Sequence, residues 1–122
     1  MADEITVTTN LSAVKGNLTF TRSRTFRATW ATARQDGQVQ AIGTTHEAIT
    51  VSGDIATLGV AYFTNLDATN FVDIGRDVAA AFVPLIRLKP GESCAVRLTP
   101  GITPYAKADT AACDLEWQIL ND

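Results

Sequence analysis

With 122 residues, 46% hydrophobic and 19% charged, the chain suffices for one folded domain with a real core, which excludes disorder and any need for metal or disulfide staples. A net charge of −3 argues against general nucleic-acid binding. The opening Met-Ala-Asp-Glu lacks a basic leader and no apolar run is long enough to span a bilayer, so the expectation is a protein made in a cytoplasm, without a membrane partner and with reduced cysteines.

Threonine occurs 17 times and lysine three, a balance that favours pleated surface over helix. Taken in order, Ile5 and Val7 alternate with threonines, and Gly16-Asn17 reads as a turn. Leu18, Phe20 and Arg22 share one parity, followed by Phe26, Ala28 and Trp30. Asp36-Gly37 has the chemistry of a hairpin turn. Ile49 and Val51 alternate, Ser52-Gly53-Asp54 turns the chain, and Leu58, Val60 and Tyr62 form the next stripe. Residues 68–81 are the one stretch with room for a helical turn, weakened by Gly75. Phe82–Leu88 is apolar on nearly both faces, as a strand central to a fold would be. Lys89-Pro90-Gly91-Glu92 and Thr99-Pro100-Gly101-Ile102 have type II turn chemistry and bracket the alternating Cys94, Val96 and Leu98. In the clearest strand, Cys113, Leu115, Trp117 and Ile119 point one way while Asp114, Glu116 and Gln118 point the other. The pattern predicts an all-β fold, a single-domain antiparallel β-sandwich or jelly roll over residues 1–122.

No residue set supports catalysis, a cofactor or a metal. His46 is the lone histidine, with no orienting partner or nucleophile apparent in the sequence. Cys94 and Cys113 fall on inward faces as free thiols, with a cross-strand disulfide left open, and with His46 they lack zinc-ligand spacing. Asp73-x-x-x-Asp77 is too sparse for a calcium loop. What stands out is charge segregation. Residues 11–34 hold Lys15, Arg22, Arg24, Arg27 and Arg34 without an acid, while the remainder leans acidic. Paired guanidinium groups suit carboxylates and phosphates, and Arg22, Arg24 and Arg27 are candidates for an assembly contact against acidic groups.

The segments Phe71-Val-Asp-Ile-Gly, Phe82-Val-Pro-Leu-Ile-Arg-Leu-Lys-Pro-Gly-Glu, Arg97-Leu-Thr-Pro-Gly, Tyr105-Ala-Lys-Ala-Asp and Leu115-Glu-Trp-Gln-Ile-Leu-Asn-Asp resemble small β-rich virion proteins of tailed bacteriophages. The resemblance covers about the last 50 residues of the sequence and rests on turn and strand signals. It implies a capsid decoration, or cement, protein: non-enzymatic, homo-oligomeric, bound to the major capsid protein or other virion proteins without nucleic acid, and located in the virion after assembly in the host cytoplasm. Small tail or head–tail components share this look. A carbohydrate-binding β-sandwich is the alternative from another class, and it would require solvent-facing aromatics where Trp30 and Trp117 fall in apolar stripes.

Overall fold

Turn residues and period-2 alternation divide the chain into short extended segments, and a computed structural model, which describes residues 3–122, builds strands from them. Among the described residues there are ten strands, no helix, and only antiparallel ladders. The sequence suggests one β domain over 1–122; contacts gather the chain into two compact units, Met1–Thr32 and Ala33–Asp122.

The first unit is a hairpin of β1 (Ile5–Lys15) and β2 (Leu18–Ala28), joined by Gly16-Asn17. Gly16 takes φ 58°, as the first position of a two-residue primed turn requires. The register runs unbroken from Ile5 opposite Ala28 to Lys15 opposite Leu18.

The second unit is a β-sandwich. One sheet has the order β3-β10-β5-β8, from Gln35–Ile42, Cys113–Asn121, Leu58–Asn65 and Ser93–Arg97. The other has the order β4-β9-β6-β7, from Glu47–Ala48, Tyr105–Ala108, Val72–Val78 and Ala81–Leu88. Ile42, Phe63, Leu115, Trp117 and Ile119 from the first sheet pack with Val72, Ile74, Leu88, Ala106 and Ala108 from the second in one core. The alternation in β10 therefore points as the sequence indicates, and Trp117 is 1% exposed.

The core's Trp117 and Asn65 find hydrogen-bond partners, whereas Thr64 Oγ1 and Asp77 Oδ1 are buried without one among the described residues. The Trp117 indole N–H donates to Gln40 Oε1 at 3.2 Å. Asn65, fully buried on β5, donates its amide to the Asn70 carbonyl at 2.9 Å and to the Leu88 carbonyl at 3.0 Å, tying one sheet to the other. Its Oδ1 accepts from the Asp67 N–H, and Asp67 in turn accepts from the N–H groups of Thr69 and Asn70. Those two bonds hold the Asp67 carboxyl below its ordinary value.

Both Pro-Gly turns form as expected, with Gly91 at φ 79° and Gly101 at φ 83°. Three sequence expectations are corrected. Asp36-Gly37 lies inside β3, where Gly37 pairs with Gln118 and its missing Cβ leaves space for that side chain. Residues 72–78 form a strand, and the following turn is Ala79-Ala80, with φ 52° and 68°. Phe82–Leu88 is an edge strand, not a central one, with Leu85 75% exposed. Pro84 explains its place, since proline cannot donate to a second ladder. Opposite it, Gly75 lets the Val83-Pro84 backbone approach closely, at a bulge between Ile74 and Gly75.

Candidate assembly surfaces

The hairpin sorts its side chains by parity. Facing one side are Ile5, Val7, Thr9, Leu11, Ala13 and Lys15, with Leu18, Phe20, Arg22, Arg24, Phe26 and Ala28 opposite them. The other side carries Thr6, Thr8, Asn10, Ser12 and Val14, with Thr19, Thr21, Ser23, Thr25 and Arg27, and is polar apart from Val14 near the turn. Thr8 and Thr25 bond across that polar side at 3.1 Å. Among the described residues of this unit, Ile5 and Val7 at its base are buried, while Leu11, Leu18, Phe20 and Phe26 on the same side, and Val14 on the other, are exposed. A two-stranded hairpin with an uncovered apolar face is marginal in water by itself.

The predicted arginine set is thereby divided. Arg22 and Arg24 lie together on the apolar face, opposite Leu11 and Thr9, while Arg27 sits on the polar side opposite Thr6. Arg22 donates to the Thr21 carbonyl and passes 5.9 Å from the Phe20 ring centroid. None of the three has an acidic partner within the chain among the described residues.

A second apolar feature lies in the sandwich. Exposed Val83 and Leu85 on β7, with Ile86, Val96, Leu98 and Ile102, line an open groove of about 450 Å³ between the two sheet edges. The sequence signal for it was the doubly apolar run of Phe82–Leu88, read as interior because edge and centre share that pattern.

On the outer face of the β4-β9-β6-β7 sheet the fold assembles polar contacts that the sequence does not announce. His46 Nε2 lies 3.6 Å from Asp77 Oδ1, and its ring stacks on Phe82 at 5.6 Å and tilts against Tyr105 at 5.7 Å. β6 thus gives His46 an acidic neighbour from 31 positions away, although Asp77 Oδ1 makes no hydrogen bond among the described residues. Nearby, Arg87 grips Asp73 through two bonds of 2.8 and 3.0 Å while its guanidinium covers the Phe71 ring at 3.6 Å. That carboxylate raises the Arg87 pKa, fixing it as a cation. Among the described residues, no three His, Cys, Asp or Glu side chains are placed to hold a metal ion.

The cysteines are both free thiols, and burial pushes each above its ordinary pKa. Strand β5 lies between β8, which carries Cys94, and β10, which carries Cys113. Two strand spacings, about 10 Å, exceed the reach of a disulfide. Trp117 is buried as predicted, whereas Trp30 is half-buried, with its indole nitrogen unpartnered among the described residues. Comparison with known proteins finds no matching family model, no matching curated protein and no matching solved structure.

Proposed function

We propose that this chain is a structural protein of a bacteriophage virion, a capsid decoration protein that stabilises the assembled shell and performs no catalysis. The observation that carries the assembly role is the hairpin, an 11-residue ladder whose apolar face, bearing Leu11, Leu18, Phe20 and Phe26, is uncovered. A surface of that kind suits burial against another molecule. The strand orders β3-β10-β5-β8 and β4-β9-β6-β7 support the virion assignment, because we read them as a jelly roll, a fold common among capsid proteins. The resemblance of the last 50 residues to phage virion proteins points the same way.

The mechanism is linkage. A protein that binds across subunit boundaries binds the closed shell and not the loose subunits, so its binding free energy adds to shell stability. The test is to incubate purified protein with undecorated shells and to locate it in purified particles by electron microscopy. Saturable binding and a raised shell-disruption temperature are expected. Both should be lost on Leu11→Ser with Phe20→Ser, while near-ultraviolet dichroism from Trp117 persists. Density on the tail would move the role to a tail or head–tail component, and absence of the chain from particles would overturn the virion reading.

A further inference from the structure

We infer that the hairpin of one copy docks on the outer face of the β3-β10-β5-β8 sheet of a second copy, with Arg22 and Arg24 meeting Asp114 and Glu116. The inference rests on the assembly role just proposed and names the partner surface. It begins with a census of acids. The sandwich unit holds eleven acidic residues. Most have internal work: Asp36, Glu47, Asp67 and Glu92 accept backbone N–H bonds, and Asp73, Asp77 and Asp122 face Arg87, His46 and Arg97. The carboxylates of Asp54, Asp109, Asp114 and Glu116 have no hydrogen-bond or ion-pair partner among the described residues. Of these four, Asp114 and Glu116 alone share a strand, and they sit two residues apart on its outward face. Arg22 and Arg24 are also two residues apart on one face of a strand. Both spacings are about 6.8 Å, because both are set by the same strand rise.

The surroundings match as well. Beyond Glu116 in the same parity comes Gln118, paired with Gly37 on β3 and Tyr62 on β5. With Val39 they line a shallow depression of about 390 Å³, where the Gln118 amide lies over Gly37 between a half-exposed tyrosine and an exposed valine. On the hairpin, Phe20 precedes Arg22 and Phe26 follows Arg24, both in the arginines' parity. Whichever strand direction is adopted, superposing the two charge pairs sets a phenylalanine opposite this depression. Three consecutive same-face positions therefore correspond between the two surfaces: cation to anion twice, and ring to hollow once. The polarity of the two units agrees. The hairpin unit has four cations against two acids, and the sandwich unit six against eleven.

The experiment is a charge swap read by sedimentation. One variant carries Arg22→Glu with Arg24→Glu, the other Asp114→Arg with Glu116→Arg, and both are checked for an unchanged melting curve. Wild-type protein is expected to self-associate, more weakly at high salt. Each variant alone should associate at least about tenfold more weakly, since like charges then face each other. An equimolar mixture of the two should regain association, which only contact between different copies can produce. A wild type that is monomeric at every concentration, or a mixture whose components stay apart, overturns the inference. If the arginine variant fails to bind shells while the acid variant binds them and self-associates like wild type, the hairpin's partner is the shell. The docking contact then falls and the decoration role stands.

Discussion

Trp117 concentrates much of the core's dependence on single side chains. It is buried between the sheets and its one polar atom is satisfied by Gln40. Trp117→Ala should lower unfolding free energy by about 3–5 kcal/mol, read from denaturant melts; an unchanged midpoint would contradict the packing. Asp67 gives a pH signature. Its carboxyl is held below the ordinary 3.8 by the Asn70 and Thr69 N–H groups, so ionisation is easier in the folded state. The resulting stability is present above pH 3.8 and is lost as pH falls through the folded-state value. Asp67→Asn keeps an oxygen acceptor and removes the titration, so its acid unfolding limb should be flatter than wild type. Much at this scale was legible beforehand. The parity of Cys113, Leu115, Trp117 and Ile119 fixed which side of β10 is interior, because strand side chains alternate without exception short of a bulge. The meeting of His46 with Asp77, or of Arg87 with Asp73 and Phe71, was not, because it depends on which strands pair, and strand order leaves no mark on local periodicity.

Among the elements, the β6–β7 hairpin departs furthest from local rules. Its two-residue turn places Ala79 and Ala80 in the left-handed region, which costs a residue bearing a Cβ about 1 kcal/mol or more. Ala79→Asn with Ala80→Gly supplies the residues that such a turn favours and should raise the melting temperature; a fall would show that the turn is not as described. Four residues before that turn, in β6, Gly75 has no room for change. A Cβ there would lie within 2.9 Å of the Pro84 Cα and would overlap the Val83 carbonyl, both rigid backbone. Gly75→Ala should cost about 1–3 kcal/mol, measured by chemical denaturation. The turn escaped sequence reading because Ala-Ala carries none of the glycine, asparagine or proline signals that mark the other reversals. Asp36-Gly37 erred in the opposite direction: hairpin chemistry was present, but the pairing of β3 with β10 absorbed it into a ladder. The edge position of β7 was hidden for a third reason. Apolar residues on both faces signal coverage on both faces, and here part of that surface is open.

For the molecule as a whole, every side chain of the core cluster lies between Ile42 and Ile119, so the sandwich has its interior independent of the hairpin. A chain of residues 33–122 should fold and retain the near-ultraviolet dichroism of buried Trp117, whereas the isolated hairpin should be unstructured; loss of that signal would mean the hairpin is needed for folding. The ladder joining β3 to β10, with Gln35 opposite Leu120, has a consequence in time. The β1–β2 ladder is closed by neighbours in sequence and can zip in about 1–10 μs. The sandwich must wait for its most distant partner, and pairing across so long a loop is slow to nucleate. During synthesis, β3, an edge strand that pairs with β10, leaves the ribosome with both flanks empty until β10 follows. In that interval Val39 and the rest of β3 depend on chaperones or dilution to avoid foreign strands. Expression yield should therefore fall with rising synthesis rate and temperature well before the purified protein's own melting point is reached.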